Sequence, residues 1–99
     1  MAQIKWTVQA LEDMEAIASF IERNSPRYAQ IVVLRIFQAV KRLEAFPLSG
    51  RIVPEVKDRT IREILLGNYR IIYRILPQDT VQILTIYHGA RIFDPSNLN

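Results

Sequence analysis

The stretch from Arg62 to Arg91, REILLGNYRIIYRILPQDTVQILTIYHGAR, carries nearly every side chain of this 99-residue sequence that could do chemistry. It holds Arg62, Arg70, Arg74 and Arg91, the acid Glu63, the tyrosines Tyr69, Tyr73 and Tyr87, and His88, the sole histidine. Arginine offers a planar fork of donors that grips phosphates and carboxylates in bidentate fashion. Ten of the thirteen basic residues are arginine, so contact with a phosphate or an acidic surface is the chemistry to look for. A proton-transfer step beside these cations would fall to His88, Tyr73 or Tyr87. A lone histidine closing the apolar run ILTIY is more often a hydrogen-bonded structural group than a catalytic base. Arg91 reads most readily as functional, because little predicted structure surrounds it to use its charge.

The elements that position these residues follow from turn chemistry and alternation. Gly67-Asn68 between two apolar runs, with glycine first, suits a type II′ hairpin. That turn pairs Leu66 with Tyr69, Leu65 with Arg70, Ile64 with Ile71, Glu63 with Ile72 and Arg62 with Tyr73. Side chains alternate across a strand. One face then shows Arg62, Ile64, Leu66, Tyr69, Ile71, Tyr73 and Ile75 and is the core face. The other shows Glu63, Leu65, Arg70, Ile72 and Arg74. On it Glu63 lies diagonal to Arg70 and Arg74, either as a surface salt-bridge cluster or as a target contact together with Arg91. Arg62 falls on the apolar face, which places it at the sheet margin with its stem packed and its head in water. A second turn is expected from Pro77 to Thr80.

The N-terminal half reads as helical. Gln3–Trp6 is a short strand candidate and Thr7 a plausible N-cap. Ala10, Leu11, Met14, Ile17, Ala18 and Ile21 then fall at helical spacing, with Glu12, Asp13 and Glu15 in the first turns where the helix dipole favours acids. Ser25 and Pro26 form the N-cap and first position of a second helix that runs to about Phe46, with a stripe of Ala29, Val33, Ile36, Val40 and Leu43. Ile31 and Leu34 point away from that stripe, among Arg27, Gln38, Lys41 and Arg42, and are candidates for partner contact. Residues 47–60 read as an irregular surface linker and 92–99 as a flexible tail.

These readings give a single domain, 1–99, with a helical hairpin at about 8–46 and a sheet at about 61–90. The expected class is two-layer α+β, with an N-terminal strand at a sheet edge, an antiparallel helical hairpin on one face, and a three-stranded antiparallel sheet (β-α-α-β-β-β). The net charge of +3 is mild and evenly divided, so it permits a nucleic-acid surface without demanding one. There is no cysteine and only one histidine, so no disulfide, thiolate site or conventional zinc site is expected. No cofactor or metal is expected. No apolar run approaches the ~18 residues that span a bilayer and no signal-peptide pattern opens the chain, so the expected location is cytoplasmic, away from membranes.

The order strand, helix, helix, three strands, together with a set of short motifs, resembles the RelE/ParE superfamily of type II toxin–antitoxin toxins. The motifs are the ALEDMEAI opening of the first helix, Ser25-Pro26, Pro47, Gly50-Arg51, Pro54-Glu55, Arg62-Glu63, Tyr69-Arg70, Tyr73-Arg74 and His88-Gly89-Ala90-Arg91. The resemblance implies a toxin neutralised by a co-expressed antitoxin that wraps around it, and a hetero-oligomer of the two. RelE-like members cut mRNA in the ribosome without metal, and by resemblance Arg62, Arg70 and Arg91 stand where such enzymes hold basic residues. Departures from that pattern are Ile64, where a second basic residue is expected, and a tail offering Asp94, Ser96 and Asn97 in place of a tyrosine. ParE-like members instead inhibit DNA gyrase by binding and need no catalytic set. The departures favour the ParE side, with Glu63, Arg70, Arg74 and Arg91 as the target-contacting residues. The alternatives are a metal-independent, ribosome-dependent endoribonuclease using Arg62, Arg70 and Arg91, with His88 as a further catalytic candidate, and a degenerate toxin that serves antitoxin binding and operon autoregulation.

Overall fold

Thr7 ends the first strand and starts the first helix within one residue. The structure is a computed structural model and describes residues 1–89 and residue 95. Strand β1 is Gln3–Trp6 and helix α1 is Val8–Glu22. The Thr7 hydroxyl accepts the Ala10 N–H at 3.0 Å, as an N-cap should, and donates to the carbonyls of Ile83 and Leu84. Asn24 and Ser25 close α1 onto the Ile21 carbonyl. Helix α2, Pro26–Lys41, opens with the Ser25 hydroxyl accepting the Tyr28 N–H and proline in its first turn. Its α-helical part stops at Lys41 and a single 3₁₀ turn, Arg42–Glu44, completes the run that the sequence assigns to one helix ending at Phe46.

The sheet has five strands in the order β1-β5-β4-β3-β2, where β2 is Arg51–Ile52, β3 Ile61–Leu66, β4 Tyr69–Leu76 and β5 Thr80–His88. The β3–β4 register is the expected one, from Leu66 opposite Tyr69 to Arg62 opposite Tyr73. Gly67 has φ 58°, and Asn68 is not among the residues with positive φ, in keeping with a type II′ turn. β1 takes the expected edge position and runs parallel to β5. The added strand is β2, two residues of the presumed linker that pair antiparallel with Glu63 and Arg62.

One irregularity was not legible. Ile72 faces Thr85 and Tyr73 faces Ile83, so Leu84 is an unpaired extra residue, a β-bulge. The bulge brings the carbonyls of Ile83 and Leu84 both within reach of Thr7. Further along, Asp13 accepts the Ile86 N–H at 3.0 Å and the Thr85 hydroxyl. Asp13 therefore ties α1 to β5. No acid lies in the first turn of α1, so the dipole role expected for Glu12, Asp13 and Glu15 does not hold.

Both helices pack on one face of the sheet. The main core joins Ala10, Met14, Val32, Ile36, Val40 and Leu43 to Ile71, Tyr73, Val81, Ile83 and Ile86. The stripe of α2 includes Val32 and Ala39, which the spacing did not select, while Val33 is only partly buried; Leu11 of α1 lies outside the core at 49% exposure. The opposite face is covered too. Val53, Ile61, Ile72 and Leu84 form a second small core with Val56 and Tyr87. The segment 53–60 is thus a strap lying on the sheet, in place of the irregular surface path expected for 47–60. It is folded tightly: the amides of Val56 and Lys57 both donate to the Val53 carbonyl, and Lys57 takes a left-handed φ of 59°. The reason is composition, since two valines bury apolar surface against Ile72 and the bulged Leu84. No helix among the described residues is long and apolar enough to cross a membrane.

Candidate functional site

Alternation places Glu63 on the strap side of the sheet, and the strap closes over it. Only 1% of Glu63 is exposed, and it is the one buried polar or charged residue among those described. Its carboxylate is held by two arginines, with Arg51 Nε at 2.5 Å from Oε2 and Arg70 Nε at 2.6 Å from Oε1. Arg70 also donates both terminal nitrogens to Glu55, each at 2.8 Å, in a bidentate pair. These bonds hold Glu55 below the ordinary carboxylate value and raise Arg70 further. The cluster is two cations and two anions, neutral as a unit. It is not the surface cluster of Glu63, Arg70 and Arg74 that register alone suggests. Arg51 and Glu55 come from the strap and β2, and the sequence offered only the motifs Gly50-Arg51 and Pro54-Glu55 as a hint of them.

The remaining candidates are dispersed. Arg62 lies at the sheet margin on the helix side, as the register places it, and its partly exposed head also binds backbone. It donates to the carbonyls of Arg59 at 3.1 Å, Gly50 at 3.0 Å and Leu48 at 3.5 Å. Arg74 shares the strap-side face with Arg70, and its charge helps to keep Asp58 deprotonated behind the larger effect of the Thr60 N–H. Tyr73 is fully buried; its hydroxyl donates to the Pro47 carbonyl at 2.7 Å and accepts the Gly50 N–H at 3.0 Å. Burial pushes that phenol up and away from proton transfer. Gly50 is fixed by the same contact, because a Cβ there would meet the Tyr73 hydroxyl at 2.5 Å and the Glu63 carbonyl at 2.6 Å. His88, at the end of β5, pairs with Tyr69, edge-on at 5.4 Å, and so falls on the helix side. There it lines a 560 Å³ groove with Phe20, Arg23, Ile17 and Tyr69. Arg91 lies outside the described residues. Among the described residues no group of three or more histidine or acidic side chains is placed to hold a metal ion.

On the helical hairpin, Ile31 and Leu34 are exposed at 36% and 57%, as the spacing implies. Leu34 borders a groove of about 370 Å³ between α1 and α2, whose floor and walls include Ala18, Ala29, Val33 and Phe37.

This arrangement defines the class. A helical hairpin over a twisted sheet, with a parallel edge strand at one side, is the RelE/ParE-type α+β fold. A solved structure of the chromosomal ParDE TA system from P. aeruginosa matches with a TM-score of 0.72 and 26% identity, covering 89% of this chain and 96% of that one. The toxin–antitoxin complex RelBE2 of Mycobacterium tuberculosis matches with a TM-score of 0.54 and 25% identity, over 88% and 96%. Residues 4–93 match the family model of the ParE toxin of the type II toxin–antitoxin system parDE. The chain is 39% identical to the Sinorhizobium fredii protein Y4kP, covering 88% of each. It is also 35% identical to Toxin RelE2 of Caulobacter vibrioides, over 93% of this chain and all of that protein. The chain belongs to the ParE toxin family of type II toxin–antitoxin systems.

Two expectations follow from the cluster. Arg70→Ala leaves the Glu63 carboxylate buried with one partner, so it should lower unfolding free energy by about 3 kcal/mol, read as a shift in urea midpoint. A loss below about 0.5 kcal/mol would make the cluster an ordinary surface feature. Glu55 has a folded pKa below its ordinary 4.5, so its contribution is present above that pH and is lost as pH falls through the folded value. The stability difference between wild type and Glu55→Gln should therefore be constant above pH 4.5 and shrink on further acidification.

Proposed function

We propose that this toxin arrests growth by binding a protein target, DNA gyrase, through surface contact and without catalysis, and that a cognate antitoxin neutralises it. One observation carries the first half. Arg62 and Arg70, two of the three arginines that an RNA-cutting site would aim at a phosphate, are engaged within the protein and point to opposite sides of the sheet, while Arg91 lies outside the described residues. Each of the three guanidinium nitrogens of Arg70 donates to a carboxylate, and Arg62 is anchored on backbone carbonyls. Of the proton-transfer candidates, Tyr73 stands opposite Arg62 but is buried and bonded, Tyr87 stands opposite Arg70 and packs against the strap-side core, and His88 lies on the face away from Arg70. Cleavage of RNA by its own 2′-oxygen needs cations and an acid converging on one phosphorus, and a neutral Arg–Glu cluster meets neither need. The ParE family match and the closer superposition on the ParDE structure than on RelBE2 support the same side.

The second half draws on the solved neighbours, which are a ParDE system and a RelBE2 complex. The groove beside Leu34, apolar apart from Glu22 and Gln30, is suited to the apolar face of an amphipathic antitoxin segment.

Inducing the protein in a bacterium while following DNA and protein synthesis separately tests the target. SOS induction with filamentation, and inhibition of supercoiling by purified gyrase, are expected; early translation arrest with cleaved mRNA would overturn the reading. Leu34→Glu should leave the fold intact and weaken co-purification with the product of the neighbouring reading frame. Unchanged recovery of the pair would move the antitoxin to the sheet or the tail.

A further inference from the structure

A second exposed apolar group lies apart from the helical groove, at the β2 edge of the sheet. Phe46 and Leu48 are each 64% exposed and Ile52 is 38% exposed. They are brought together by backbone contacts. The Ser49 N–H donates to the Phe46 carbonyl, the Phe46 N–H to that of Arg42, and Ile52 pairs with Arg62 across two strands. Arg62 spans the group by donating to Leu48, Gly50 and Arg59. Large side chains this exposed on an otherwise anchored loop are not needed for packing, since the Tyr73 hydroxyl and Arg62 already fix the loop.

The charge around them is lopsided. From Lys41 to Arg62 the chain has six basic side chains (Lys41, Arg42, Arg51, Lys57, Arg59 and Arg62) and three acids (Glu44, Glu55 and Asp58). The remaining residues hold seven of each, so the whole net charge of +3 lies in this segment. Of its bases, Arg51 is bound to Glu63 and Arg62 to carbonyls, and two of its three acids are engaged, Glu55 by Arg70 and Asp58 by the Thr60 amide and hydroxyl.

We infer that Phe46, Leu48 and Ile52, rimmed by Arg42 and Arg59, are the surface with which this toxin docks on an acidic face of its protein target. This rests on the binding reading above and adds the place. Apolar anchors inside an arginine rim are the composition of a protein–protein hot spot, with charge steering the approach and burial giving the affinity. A nucleic-acid surface would instead require free cations following a backbone with aromatics to stack on bases, and here the central arginine, Arg62, is held on carbonyls.

The test uses the intact chain carrying Leu48→Glu or Arg59→Glu, with Leu65→Gln as a control at an equally exposed apolar site on the strap side of β3, 57% exposed. Circular dichroism and urea midpoints should match wild type for all three. Leu48→Glu should weaken gyrase inhibition about ten- to thirty-fold and relieve growth arrest. Arg59→Glu should weaken it several-fold and flatten its salt dependence, and Leu65→Gln should change neither. If wild type arrests growth without inhibiting gyrase, while Leu48→Glu and Arg59→Glu relieve the arrest, the docking surface stands and the gyrase reading falls. If both folded variants arrest growth like wild type, the docking surface is overturned. It is equally overturned if wild type shifts a single-stranded RNA, Arg59→Glu abolishes the shift and Leu48→Glu leaves arrest intact.

Discussion

The carboxylate of Glu63 sits where a charge is costly, beneath a strap and against a sheet, and the arrangement of the whole strap-side face follows from how that cost is met. Removing a carboxylate from water carries a penalty of several kcal/mol unless opposite charge and hydrogen bonds surround it. Here two guanidinium groups do so, at 2.5 and 2.6 Å. One of them, Arg51, is on the two-residue strand β2, so the ion pair holds that strand to β3. The other, Arg70, reaches on to Glu55 and fastens the strap. Val53 and Val56 then complete a small core over Ile72 and Leu84. Remove the carboxylate and two arginines and Glu55 lose their common centre, although the apolar seat of the strap remains.

That use of charge bears directly on chemistry. Around a two-residue turn, even positions of β3 share a face with odd positions of β4. Arg62 therefore goes with Tyr73 and the helices, whereas Arg70 goes with Glu63 and the strap. Two arginines that look like a pair in the sequence are separated by the thickness of a sheet. Convergence on one phosphate would need the hairpin register to change, and register is pinned by the burial of Ile71 and Tyr73 on one side and Ile72 on the other. Among the described residues, Arg62 and Arg70 are engaged on opposite faces, which fits the binding reading proposed above.

What was legible in the sequence was the part governed by local rules. Thr7, Ser25-Pro26 and Gly67-Asn68 are caps and a turn whose chemistry is short-range, and the hairpin register followed from the turn by counting. The rest depended on contacts distant in sequence. Nothing local marks Leu84 as a bulge; the extra residue makes sense only when Thr7 and Asp13, more than seventy residues earlier, bond to Ile83, Leu84, Thr85 and Ile86. The strap failed for a similar reason: prolines, glycine and mixed charge between residues 47 and 60 look like solvent-facing linker until Ile72 and Leu84 are known to be uncovered beneath it. Arg62 was placed correctly at the margin, yet its partners are carbonyls of that same segment. The face of His88 likewise depends on the bulge, which shifts parity along β5 and brings it opposite Tyr69.

The two exposed apolar regions are joined by the end of α2, and this joins the two binding events proposed for them. Phe37 borders the interhelical groove and Phe46 begins the loop cluster. Nine residues of mostly helical chain separate them, about 13 Å at 1.5 Å per residue. An antitoxin segment that fills the groove beside Leu34 and Phe37 and continues along α2 for about one and a half helical turns would reach the arginine rim at Arg42. Its acids would meet the same cations that steer a target surface. If both partners take up the charge carried between Lys41 and Arg62, as proposed, neutralisation requires only occupancy of that surface. The rigidity imposed by Glu63 on the far side of the sheet fits this: a surface that works by presenting fixed anchors gains from a scaffold that does not rearrange.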